Sequence, residues 1–236
     1  MNQDFKRGAK AGVPIALGYV SVSFTFGLVA VSAGMTPLQA CLISMTCLTS
    51  AGQFAGLDIM VLSGGLIEMA LAQFIINLRY SLMSISLSQK TDDTFSLPVR
   101  LLVSFGVTDE IFAVSMAKND TISKRYMAGI IGVAYFGWSL GTLTGALMGN
   151  VLPEVVVAAL GIAIYGMFLA IIIPPAREDR KILRVILIAV FVRILLDVIP
   201  VLKEISSGFA IIICSVIAAG GCAWFDTKNQ KGEKRA

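Results

Sequence analysis

Eight apolar runs, each near the length that crosses a bilayer, follow one another along the 236 residues with no polar stretch between them long enough to fold alone. They lie at roughly 13–34, 38–62, 65–88, 99–117, 126–149, 153–173, 182–200 and 208–225. A hydrocarbon core of ~30 Å takes ~20 residues of helix, and a backbone in lipid must satisfy its own hydrogen bonds. The expectation is an all-α integral membrane protein, one polytopic domain over 1–236. It has about eight transmembrane helices, some of them discontinuous. Composition agrees: 56% of the residues are apolar and 14% charged, against ~45–50% and ~25% in soluble domains.

Proline and charge punctuate the runs. Pro14, Pro37, Pro98 and Pro153 fall at run starts, and Pro174, Pro175 and Pro200 at run ends, where a missing N–H matters least. The first run is too long for a cleavable signal peptide. With the N-terminus inside, fourteen of the nineteen Lys and Arg fall on inner segments, and Lys90, Arg100 and Lys203 fall outside. Arg79 and Arg193 lie within runs. The positive-inside rule therefore places both termini in the cytoplasm.

Several chemistries are excluded. There is no His, which removes Ser-His and Cys-His nucleophile pairs and His-ligated metal sites. Cys41, Cys47, Cys214 and Cys222 sit in apolar runs without a Cys-x-x-Cys pair, so they read as buried thiols rather than a zinc or redox site. A net charge of +4 without a basic, aromatic-laced stripe argues against nucleic acid. No Gly-rich phosphate loop is present to power an ATP-driven pump. The expectation is a protein that is not an enzyme and needs no metal or cofactor. Intramembrane aspartyl chemistry would require two acids such as Asp58 and Asp109 on different helices.

Polar residues at depth mark the working parts. The centre of the second run reads Thr49-Ser50-Ala51-Gly52-Gln53-Phe54-Ala55-Gly56, followed by Asp58. Small residues there fit either a close helix crossing or a broken helix whose amides and positive dipole end face an anion. The third run carries Asn77-Leu78-Arg79-Tyr80. Arg79 either snorkels to an interface or pairs with a carboxylate, and the fourth run offers Asp109 and Glu110. On a helix these project about 100° apart, so one can pair with Arg79 while the other faces a cavity or carries a proton. Arg193 and Asp197, four apart, can satisfy each other; Asp58 is either a helix-end residue or part of the site. Gly137, Gly141, Gly145 and Gly149 line one face of the fifth run, a groove for close packing against an internal helix or a second protein.

Gly-Val-Pro-Ile (12–15), Ser-Ala-Gly-Gln-Phe (50–54), Asn-Leu-Arg-Tyr (77–80) and Thr-Asp-Glu-Ile-Phe-Ala (108–113), in this order and spacing, resemble the AzlC family of bacterial branched-chain amino acid permeases. The likeness is dense over the first half and rests on span count beyond it. Tyr80 stands where many members have His, and Ile111 where Thr is frequent. The resemblance implies export of leucine, isoleucine, valine or similar amino acids such as methionine from a bacterial cytoplasmic membrane. It also implies a small four-span companion, AzlD. In residue terms, Ser50, Gly52, Gln53, Phe54 and Asn77 would help bind substrate, the amides near Gly52 meeting its carboxylate. Asp109 or Glu110 would meet the ammonium group or carry the coupling proton, with Arg79 and Asp58 in the charge balance. A channel or a structural subunit of a complex is the alternative.

Overall fold

A computed structural model describes residues 3–149, 155, 169, 172–174, 176–200, 202 and 204–233. The sixth apolar run falls almost wholly outside them. The described helices are α1 (Gln3–Ser32), α2 (Pro37–Thr46), α3 (Ser50–Val61), α4 (Leu66–Ser88), α5 (Leu97–Phe105), α6 (Asp109–Met116), α7 (Lys124–Met148), α8 (Arg180–Val198) and α9 (Ser207–Glu233). By length and apolarity α1, α4, α7 and residues 207–224 of α9 are able to cross a membrane. The chain divides into two compact units, 1–54 with 76–162 and 55–75 with 163–236.

The first unit is built on α1 and α7, which run parallel and in contact along their length. Glycine makes the approach possible. A Cβ on Gly137 would lie 2.7 Å from the Ala16 carbonyl oxygen, and one on Gly141 2.6 Å from that of Val20. Gly145 faces the Phe24 carbonyl with no room for a side chain, while Gly149 meets the Val31 side chain at an ordinary 3.4 Å. The partner of the glycine groove is thus internal. Gly8, Gly12 and Gly27 of α1 supply the reciprocal close contacts, against Tyr126, Ile130 and Thr142. Pro14 does not start this helix: α1 begins eleven residues earlier, so its polar first turns extend beyond the apolar run.

The second and fourth apolar runs are not single continuous helices: each breaks into two short arms that fold back as a hairpin. Sequence length alone suggested crossings, because the two arms of each hairpin add up to a bilayer thickness. Thr36 starts α2 through a reciprocal cap with Gln39 and Pro37 in the first turn. The chain leaves helical geometry at 47–49 and resumes as α3. Met45, near the end of α2, accepts a hydrogen bond through its carbonyl from the Tyr135 hydroxyl (3.0 Å). Beyond the break the chain turns back. Gln53 lies beside Ser44, which lies beside Thr142 farther along α7, and Phe54 packs edge-on against Phe26 of α1.

Helices α5 and α6 form the opposite hairpin. The segment before α5 pairs with the segment before α7 through Ile122 N–H to Lys90 O (2.9 Å) and Asp92 N–H to Ile122 O (3.0 Å). From there α5 rises along α7 until Gly106 meets Ile131 and Phe105 meets Tyr135, about 16 Å from Lys124 at 1.5 Å per residue. The chain breaks at 106–108, and α6 descends again. Ser115 reaches Met127 (3.5 Å) and Lys118 sits over the Tyr126 ring. The Lys90 ammonium closes the base of the hairpin on the Met116 carbonyl (2.6 Å). Leu48 and Val107, one at each tip, belong to a single buried cluster with Ile15, Tyr19 and Trp138.

In the second unit, buried Glu68 near the start of α4 caps α9. Its carboxylate accepts from Ser206 Oγ (2.5 Å) and Gly208 N–H (3.0 Å), matching negative charge to a helix N-terminus. On α8, Arg193 and Asp197 pair at 3.0 Å.

Candidate functional site

The two hairpin tips bring half-helix N-termini to mid-depth of the α1/α7 pair. Thr49 caps α3: its Oγ1 accepts from Gly52 N–H (3.0 Å) and its carbonyl from Gln53 N–H (2.8 Å). Thr108 caps α6 in the same manner, accepting from Ile111 N–H (3.4 Å). Asp109 and Glu110 are therefore the first two residues of a helix rather than mid-helix acids. The positive end of the α6 dipole favours their charge there.

The acids divide between two partners. Asp109 Oδ2 lies 2.8 Å from Arg79 Nη1 on α4. Glu110 Oε2 lies 2.5 Å from the Tyr19 hydroxyl, which is also 2.5 Å from Thr108 Oγ1. Tyr19 has one hydroxyl proton. A carboxylate only accepts, so the tyrosine donates to Glu110 and receives the Thr108 proton. Arg79 further donates to the Tyr80 hydroxyl (3.2 Å) and lies over the Tyr80 ring. The Tyr80 hydroxyl also faces the side chain of Thr49. Trp138 meets Tyr19 edge to face at 5.2 Å, and its buried indole N–H has no hydrogen-bond partner among the described residues.

The centre thus holds one guanidinium, two carboxylates, two phenols and two helix N-termini, walled by Leu48, Val107 and Ile111. A cleft of about 240 Å³ between α4 and α5, lined by Ser84, Ser88, Thr91, Arg100 and Ser104, reaches up to Val107. The arrangement offers both signs of charge to a small zwitterion, together with apolar surface.

Residues 14–152 match the family described as AzlC protein. The chain belongs to the AzlC family. The matched region contains every residue of the centre just described. An uncharacterized membrane protein of Archaeoglobus fulgidus is 33% identical over 72% of this chain and 75% of its own length. The inner membrane protein YgaZ of Escherichia coli is 31% identical over 75% of this chain and 74% of its own. An uncharacterized membrane protein of Helicobacter pylori is 25% identical over 62% and 64%. No solved structure matches the chain.

Within this AzlC protein, three of the four motifs converge on the tips. Of the amides expected to meet a carboxylate, two are already engaged. Thr49 occupies the Gly52 and Gln53 N–H groups, and Phe54 lies a turn inside α3, where the helix uses its N–H. Ser50 and Ala51 present the amides at the tip. The Gln53 side chain does other work: 1% exposed, it donates to Ser44 Oγ (2.5 Å), which is 2.6 Å from Thr142 Oγ1. This thread ties both arms of one hairpin to α7. Asn77 is half-buried and, two residues from Arg79, points to another face of α4. Asp58 is exposed on α3, about 12 Å along the helix from Ser50. Sequence reasoning missed Tyr19, because a single tyrosine in an apolar helix has no spacing that distinguishes it from a core aromatic.

Proposed function

We propose that this protein exports branched-chain amino acids by alternating access, with substrate held between the two hairpin tips. The observation that carries the reading is the meeting, at mid-depth, of two half-helix N-termini with Arg79, Asp109 and Glu110. A zwitterion needs a cationic and an anionic subsite about an ammonium–carboxylate spacing apart. Crossed half-helices supply the first through amides and dipole. The Ser50 and Ala51 amides take the carboxylate and Glu110 the ammonium group, while the Arg79–Asp109 pair sets the local charge. Glu110 also carries the coupling proton. The aliphatic side chain rests on Leu48 and Val107.

In the proposed topology both termini are cytoplasmic and the two hairpins dip into the bacterial inner membrane without crossing it. Reading α5 and α6 as a hairpin moves Lys90 and Arg100 to the inner side, leaving Lys203 the one basic loop residue outside. That sharpens the positive-inside bias. The cleft between α4 and α5 is then the cytoplasmic path to the site. A small four-span AzlD-like protein is the proposed companion.

The test is efflux of labelled leucine, valine and methionine from vesicles, with and without the companion. Saturable, pH-sensitive flux supports the reading. Flux that rises linearly with concentration at every pH points instead to a channel.

A further inference from the structure

We infer that α1–α2–α3 and α4–α5–α6 are inverted copies of one unit, and that Tyr19 and Tyr80 are equivalent positioning residues, each holding the hairpin tip of the other copy. The two long helices run in opposite directions. Helix α1 leaves the Lys124 end of α7, whereas α4 passes Arg79 at mid-depth and finishes at the segment paired with Ile122. Each long helix leads into a hairpin that dips from the end it has just reached. The first arm of each is short, ten residues in α2 and nine in α5, and opens on Thr36 or Ser96 with Pro in the first turn. Each second arm opens on a threonine cap, Thr49 or Thr108.

The tyrosines complete the correspondence. Tyr19 precedes the threonine of its own copy by thirty residues, and Tyr80 precedes Thr108 by twenty-eight. Each reaches across instead: the Tyr19 hydroxyl bonds Thr108, and the Tyr80 hydroxyl faces the side chain of Thr49. The exchange is what a two-fold axis in the membrane plane requires, and transporters built on such repeats open one copy at a time. Because a cap threonine fixes the amides behind it, each tyrosine sets the geometry of the substrate-facing half-helix of the opposite copy. The symmetry is broken at the substrate: Asp109 and Glu110 follow one cap, Ser50 and Ala51 the other. In this respect the inference rests on the export reading above.

The test measures accessibility without substrate, so its failure is separable from failure of that reading. Full-length protein in membranes, with Cys41, Cys214 and Cys222 changed to Ser, keeps Cys47 as a reporter at the α2/α3 tip. A second version adds Cys47→Ser and Val107→Cys at the other tip. An impermeant thiol reagent is applied to one face at a time. Loss of one hydrogen bond shifts such an equilibrium about two- to tenfold. Tyr80→Phe therefore raises Cys47 labelling by that factor from one face and leaves Val107→Cys unchanged. Tyr19→Phe raises Val107→Cys labelling from the other face and leaves Cys47 unchanged. Thr49→Val removes the Tyr80 contact together with the Gly52 cap and raises Cys47 labelling at least as far as Tyr80→Phe, and Thr49→Ser keeps the parent rate. If the two Phe variants act on the same reporter, from the same face, or on neither, the inverted pairing is wrong.

Discussion

Glu110 and Asp109 are neighbours in sequence with different work, because one meets a phenol and the other a guanidinium. Glu110→Gln keeps a carbonyl oxygen for the Tyr19 hydroxyl but cannot exchange a proton. The expected outcome is normal membrane yield with transport that no longer responds to a pH gradient, read by labelled leucine efflux at several external pH values. Full pH response in this variant would remove Glu110 as the proton carrier. Asp109→Asn leaves Arg79 without its countercharge, a liability of about 2.5–3.5 kcal/mol on membrane-insertion scales. Its yield should fall severalfold, and Arg79→Gln in the same chain should recover part of it. Blotting of membrane fractions decides. The pairing of Arg79 with one acid was legible from charge alone, since lipid leaves an arginine few options. Which acid it takes was not, because that depends on where α6 begins, and the Thr108 cap sets that point.

At the scale of elements, the glycine face of α7 could be read directly from its four-residue spacing, but its partner could not. Only three-dimensional register reveals that Gly8, Gly12 and Gly27 of α1 answer it. Gly145→Ala would drive a methyl group into the Phe24 carbonyl, and overpacking of this kind costs about 1–3 kcal/mol. Gly132 lies on the same helix with nothing near its missing Cβ. Gly132→Ala should therefore match the parent while Gly145→Ala melts several degrees lower in detergent. Equal melting of the two would show that the seam tolerates side chains. The hairpins were half legible. Thr49-Ser50-Ala51-Gly52 announced a break, but the sum of two short arms mimics one span, and hydropathy does not record a reversal. Gln53→Leu tests what holds the reversal: Ser44 keeps Thr142 but loses Gln53, and the loss should be about 0.5–1.5 kcal/mol, measured in the same melting experiment.

For the whole molecule, the decisive prediction concerns sidedness. Asp93→Cys and Asp120→Cys, introduced singly into a chain lacking the native cysteines, should react with an impermeant reagent from the same face, since their segments are hydrogen-bonded to each other. Reaction from opposite faces would restore α5 and α6 to a crossing. The membrane character of the chain was plain from composition, whereas the inverted relation of its parts was hidden. It lives in caps and turn positions that recur with drift, thirty residues in one copy and twenty-eight in the other. The pairing of α1 with α7 has one more consequence, in time. About ninety residues separate the end of α1 from the start of α7, and synthesis at about 5–20 residues per second makes that an interval of about 5–18 s. Both hairpins emerge during the interval, before the wall they lean on exists. A nascent chain stalled short of residue 124 therefore presents unsupported broken helices to the bilayer, and quality-control proteases should clear it long before any chain that has gained α7.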